Sequence, residues 1–317
     1  MRRAARAASL VLGTGYCLFF FSETVFWSLW RPDENPLTRA GGVLFYSFLG
    51  YTLLALIAAL RVRDAWALLV AGACFGWLGE GVFAMTLFGA SGIPFPFTIS
   101  WTALAWHAPL SVVVGWWWLG QALRAPRPWR ALRLSVAIGL FWGAWGYGWQ
   151  FETPPVVADP GDFLANAVGG TMLLALAQAA ITWGGPAVYR PSRPGLAVTA
   201  AVLLIAFGAW TIPQAPIAPL VLVPLLAGSV WALRRADQAA PAASPNLLAD
   251  FAPPVRGRNA VMLAAIPLVA TLLYAGLRDL QPDVQTHLVI AALSGLAGIV
   301  LFVIALWHMA RRRAAVP

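Results

Sequence analysis

Long apolar runs separated by short polar punctuation fill most of the chain. Ten of them, at 8–30, 41–60, 65–89, 98–123, 131–151, 162–183, 195–211, 215–233, 259–277 and 287–309, come close to the roughly 20 residues that carry a helix across a bilayer core. The pattern predicts an all-α polytopic integral membrane protein of about ten transmembrane helices. The connections are short, and none has room for a nucleotide-binding domain. The longest, 236–258, is rich in Ala and Pro and reads as a flexible cytoplasmic linker.

Composition supports this reading. Hydrophobic residues make up 60% of the 317 and charged residues 10%, with a mean hydropathy of +0.74. Soluble domains carry about 25% charged residues. The N-terminal arginines and following apolar run imitate a signal peptide, but the run continues too far and lacks a small-residue cleavage site. It is expected to stay as the first helix. Cys17 and Cys74 fall mid-run, which suits small buried side chains and neither a disulfide nor a metal site.

The net charge of +9 sits in alternate loops. Arg2, Arg3 and Arg6, Arg61 and Arg63, Arg124 to Arg133, Arg190 and Arg193, Arg234 to Arg258, and Arg311 to Arg313 fall on one side. The opposite loops hold Arg31, Arg39 and Arg278 with Asp33, Glu34, Glu152, Asp159, Asp279 and Asp283. The positive-inside rule then predicts both termini in the cytoplasm of a bacterial or archaeal cell. No basic patch accompanies a soluble fold, so membrane lipid is the expected partner and nucleic acid is not. Protein partners are not indicated.

Polar content divides the chain. The first six helices, 1–185, hold the intramembrane acids and 14 of the 17 tryptophans. Residues 186–235 and 259–317, with helices 7–8 and 9–10, read as scaffold. Within the polar half, Ser22-Glu23-Thr24-Val25-Phe26 is echoed 57 residues on by Gly79-Glu80-Gly81-Val82-Phe83. A carboxylate inside a membrane helix costs about 2.5–3.5 kcal/mol on insertion scales, so both glutamates require a reason. Glu23 follows Arg6 by 17 residues and Glu80 follows Asp64 by 16. At 1.5 Å per residue each lies roughly 24–26 Å from the cytoplasmic boundary, the outer part of the core. His107, Glu152, Asp162 and Asn166 are expected at similar depth. Asp162 and Asn166 are an i, i+4 pair, and Asp162 is also a candidate cap for helix 6.

Aromatics accompany these groups. Trp142, Trp145, Trp149 and Glu152 share a helical face, Trp77 and Phe83 flank Glu80, Trp27 and Trp30 follow Glu23, and Trp106 precedes His107. Such a layer suits a lipophilic, unsaturated or cationic ligand. The candidate catalytic residues are Glu80, Glu23 and His107. The candidate substrate-binding residues are Trp27, Trp77, Phe83, Trp106, Trp142, Trp145, Trp149, Glu152, Asp162 and Asn166. Three histidines spread along the chain favour no metal site, and no cofactor is expected.

Three families are resembled in part. Ten helices with both termini inside look like the drug/metabolite transporter architecture. Trp142-Gly143-Ala144-Trp145 with Trp149 resembles the haem-handling segment of cytochrome c maturation proteins, although Gln150 stands where that family has Asp. Glu80-Gly81-Val82 followed by Pro94, Pro96 and Trp106 is similar to membrane carotenoid hydratases and other isoprenoid-modifying enzymes, without their tyrosines. This resemblance implies acid–base chemistry on an isoprenoid-like substrate. A desolvated carboxyl favours its neutral form and so suits proton donation. The expectation is an intramembrane cyclase, hydratase or isomerase with Glu80 as donor and Glu23 or His107 as base. A proton-coupled transporter, a haem or lipid carrier, and a non-catalytic subunit are the alternatives.

Overall fold

The computed structural model describes residues 2–29, 34–90, 92–239 and 244–314. Trp30, Arg31 and Asp33 lie outside them, as do 240–243 of the linker. The described residues are mainly helical and form no strand, as the apolar runs predict. Nine of its helices are long and apolar enough to cross a membrane: α1 Arg3–Trp27, α2 Pro36–Ala59, α3 Ala65–Phe83, α4 Phe97–Arg124, α6 Pro160–Trp183, α7 Arg193–Gln214, α8 Ala218–Gln238, α9 Gly257–Leu280 and α10 Thr286–Arg311. The remaining run forms α5, Pro128–Gly148, which falls short on composition. Its glycines, three tryptophans and tyrosine lower its hydropathy, and Arg130 and Arg133 lie in its first two turns.

Two runs stop sooner as helices than as apolar sequence. Ser28 takes a left-handed backbone (φ 64°) just after α1, and Met85 does the same (φ 59°) just after α3. The chain between α3 and α4 then turns through Gly89, Gly92, Pro94 and Pro96, with a short 3₁₀ turn at Thr86–Phe88, and α4 opens with another at Phe97–Ile99. Helix starts follow ordinary capping. Asp64 accepts from the Trp66 and Ala67 amides, and Ser192 accepts from Gly195. Asp159, not Asp162, caps α6 by accepting from Gly161. The cap satisfies amides that have no partner inside the helix.

The chain divides into two compact units. The first comprises 1–47, 114–185 and 251–293, the second 48–113, 186–250 and 294–317. Small residues set the packing in the first. Gly139 and Gly143, a G-x-x-x-G pair on α5, face the Ile266 and Ala270 carbonyls of α9. Without side chains there, two backbones approach closely and gain dispersion contacts that hydrophobicity does not supply in lipid. Gly13 meets α6 at Ala177 and Ile181, and a Cβ on Gly15 would lie 2.4 Å from the Ser47 Cα. Gly15→Val is therefore expected to destabilise by about 1–3 kcal/mol as an overpacked contact. The check is a lower unfolding temperature of the purified variant in detergent, with Gly208→Ala, which has nothing within 4 Å, as the neutral control.

Buried arginine and asparagine secure the ends of α4 and α6. Arg124, predicted as a loop charge, is 6% exposed. Its guanidinium donates to the Gly120, Phe251 and Pro253 carbonyls, the Gln178 carbonyl and Oε1, and the Thr182 hydroxyl, at 2.6–3.3 Å. Several of these oxygens end helices, where the backbone dipole is negative. Asn259 Nδ2 donates to the Ala122, Leu123 and Ala125 carbonyls. The end of the predicted linker is thus packed chain. Phe251 is fully buried, its ring tilted against that of Trp116 with centroids 4.6 Å apart. In the second unit, the Leu247 amide donates to the Val62 carbonyl. Asp237 pairs with Arg61 and Arg63 at 2.7 and 3.0 Å.

Candidate functional site

In the second unit, the last turn of α3 widens into a π turn over Gly79–Phe83. The extra residue in such a turn interrupts the i→i−4 ladder and is frequent at functional positions. Glu80 sits in it, and α4 and the connecting segment supply its partners. His107 Nε2 lies 2.7 Å from Glu80 Oε1, and Thr102 Oγ1 donates to the same oxygen at 2.6 Å. The Thr86 hydroxyl donates to Oε2. The imidazole is 6% exposed and meets the Phe75 ring edge to face at 5.7 Å. α3 and α4 approach this closely because Gly76 faces Ala103 and the His107 Cβ, at 2.8 and 3.1 Å from where a Cβ would stand. Both carboxylate oxygens therefore receive hydroxyl donors, and Glu80 and His107 form a short O···N contact.

The aromatics expected around Glu80 lie in the same unit. Trp77 is fully buried, donates Nε1–H to the Ile99 carbonyl at 2.9 Å, and meets Phe302 edge to face. Phe83 packs on Phe48, and Trp106 is buried. The Val82 carbonyl accepts from Thr211, so an acceptor loosened by the π turn has a partner.

Glu23 belongs to the first unit. It too sits in a five-residue π turn, Phe20–Thr24. Tyr46 Oη donates to its Oε1 at 2.7 Å and Trp27 Nε1 to its Oε2 at 3.0 Å. The two glutamates thus share a local geometry as well as a sequence echo. Each is held by hydroxyl or N–H donors in a π turn, and each is followed five residues later by a left-handed residue, Ser28 or Met85.

The α5 stripe forms a packed aromatic cluster in the first unit. Trp142 lies between Phe20 and Phe163 at 5.5 and 5.6 Å. Trp145 and Trp149 both donate to the Phe26 carbonyl, which the π turn and the end of α1 leave available. Trp27 stacks on Trp149 at 5.2 Å.

Asn166 is buried and bridges two elements. Its Oδ1 accepts from Arg39 at 3.1 Å and its Nδ2 donates to the Ser28 carbonyl at 3.0 Å. Arg39, predicted in an outer loop, is within α2 and also pairs with Glu34 at 3.5 Å. Asp162 is exposed. With Tyr16, Arg39, Asn166 and Met172 it lines an apolar groove of about 1270 Å³ between α1, α2, α6 and the 154–159 segment.

Sequence reasoning passed over His287. Its Nε2 lies 2.9 Å from Glu152 Oε1, and its ring stacks against Trp149 and Phe151. Gly148 makes the room, since a Cβ there would lie 2.4 Å from that of His287. The 135 residues between Glu152 and His287 hide this pair from any local pattern. Thr102 and Tyr46 stand 22 and 23 residues from the glutamates they serve, and Thr86 reaches Glu80 only because the chain turns back after α3. No group of three or more His, Cys, Asp and Glu side chains able to hold a metal ion occurs among the described residues.

No protein-family model, curated protein or solved structure matches the chain.

Proposed function

We propose that this is an intramembrane acid–base enzyme acting on a lipophilic, isoprenoid-like substrate, with Glu80 and His107 as its proton-holding pair. The observation that carries this reading is the 2.7 Å contact between Glu80 Oε1 and His107 Nε2 inside a membrane-spanning unit. A carboxylate that accepts from Thr86 and Thr102 is held in one orientation. It is suited to fix the imidazole and to stabilise its charged form, while the imidazole passes the proton. The two roles expected of Glu80 and His107 are thereby exchanged: the saturated carboxylate orients and His107 carries the proton. Glu23, half-buried and held by Tyr46 and Trp27, is a separate carboxylate of the first unit. The aromatic residues of both units shape the surroundings and exclude water. The alternation of arginine-rich loops supports a cytoplasmic membrane location with both termini inside.

Neutral and polar lipid extracts from cells expressing the wild type, Glu80→Gln and His107→Gln test this reading. Mass spectrometry is expected to find a lipid species that appears or disappears with the wild type and returns to the empty-vector level in both variants. Extracts that match between wild type and vector, or a change that survives in both variants, would sink the enzymatic reading.

Proton-coupled transport is the second reading. The observation favouring it is the repeated π turn with its glutamate, since transporters are commonly built from internal repeats with interrupted helices around a binding site. Here a small-molecule extract would drive acidification of proteoliposomes bearing the wild type, and Glu80→Gln would abolish it with lipid extracts unchanged.

A further inference from the structure

The second unit carries a groove that neither glutamate occupies. It has a volume of about 790 Å³ and runs between α8 and α10, with Trp77 of α3 behind it. Its walls include Leu225, Trp231, Val303 and Trp307. Trp231, Val303 and Trp307 are 60%, 57% and 51% exposed, so the groove opens sideways on two helices apolar enough to span a membrane.

One end of the groove is basic on both walls. Arg235, which lines it, lies over the Trp231 ring at 4.8 Å. Arg311, next after the lining residue Ala310, lies over the Trp307 ring at 3.8 Å. Each pair is spaced i, i+4, so each guanidinium is held one turn beyond its indole. The lining contains no Asp or Glu. A slot with apolar walls and two cations at its end is complementary to a molecule with an anionic head and hydrocarbon chains. The bilayer itself supplies such a molecule.

We propose that the α8–α10 groove is a docking site for an anionic phospholipid, with its phosphate between Arg235 and Arg311 and an acyl chain along the Trp231 and Trp307 walls. Two arginines near a lipid phosphate favour an anionic over a zwitterionic headgroup by about tenfold or more. Gly228 forms part of the lining, and a Cβ added there meets nothing within 4 Å. A side chain at this position fills the groove without disturbing the packing behind it.

The test is lipid binding by the purified full chain in detergent, read by native mass spectrometry and by thermal shift. Phosphatidylglycerol is compared with phosphatidylcholine and with free glycerol phosphate. The wild type is expected to retain phosphatidylglycerol about tenfold more strongly than phosphatidylcholine and to unfold at higher temperature with it. The Arg235→Gln/Arg311→Gln double variant should lose the preference and keep weak binding of both lipids. Gly228→Phe, with its own unfolding temperature unchanged in the absence of lipid, should lose binding of both. Equal retention of the two lipids by the wild type would overturn the proposal. So would a preference that survives in both variants, or a thermal shift reproduced by glycerol phosphate alone, which would make the site one for a free anion.

Discussion

Replacing Arg124 by Met is expected to prevent the first unit from folding stably. The side chain is 6% exposed and donates to six oxygens, none of them a carboxylate. Methionine has similar length and packs well, so the substitution removes donors with little loss of volume. It leaves buried carbonyls of Gly120, Gln178 and Phe251 without this partner, along with the more exposed Pro253 carbonyl. Each unsatisfied buried acceptor costs about 1–3 kcal/mol, and even partial relaxation leaves a loss of about 4 kcal/mol or more, which is exceptional for one substitution. The cation–π contact over Phe251 at 5.0 Å is lost too. Arg124→Lys keeps the charge but offers one ammonium in place of a planar fork. It is expected to recover only part of the stability. The measurement is the monodisperse yield in mild detergent and the unfolding temperature, in the order wild type, Lys, Met. A Met variant as stable as the wild type would show that these bonds contribute nothing net.

Glu80→Leu is expected to have the second-largest effect, and a different pattern. It leaves the Thr86 and Thr102 hydroxyls and His107 Nε2 without the acceptor they share. The hydroxyls turn toward helix carbonyls, but the imidazole is fixed by Phe75 and Gly76. A loss of about 3 kcal/mol follows from removing the acceptor of three hydrogen bonds. Glu80→Gln keeps the shape and one acceptor oxygen and is expected to lose less than about 1.5 kcal/mol. The two variants then separate structure from chemistry. Stability falls strongly in the leucine variant and little in the glutamine variant, while the proton-dependent activity is lost in both. If Gln proves as destabilising as Leu, the negative charge of Glu80 is itself a structural requirement. If both retain activity, proton handling at this pair is excluded.

The architecture was legible because membrane insertion depends on sums over a segment. Apolar length and the scarcity of charge in each run fix a helix wherever the bilayer leaves backbone groups no other partner. The same local logic drew attention to Glu23 and Glu80, since a carboxylate in such a run is conspicuous alone. It also placed His107 among the candidates.

Tertiary structure decided the partners. Glu80 and His107 are 27 residues apart and Glu152 and His287 are 135 apart, and no period or spacing rule connects them. It also moved two arginines out of their predicted loops. Arg124 is buried because the free carbonyls at helix ends accept its guanidinium, and Arg39 turns inward because Asn166 and Glu34 receive it. A charge count along the chain sees neither acceptor. The π turns around both glutamates also lay beyond sequence reading, for they arise where a helix accommodates one extra residue and carry no composition of their own. The sequence by itself therefore determined the spanning helices and the unusual acids within them. The fold alone decided which donors hold those acids, because hydrogen-bond partners depend on where separate helices are brought together.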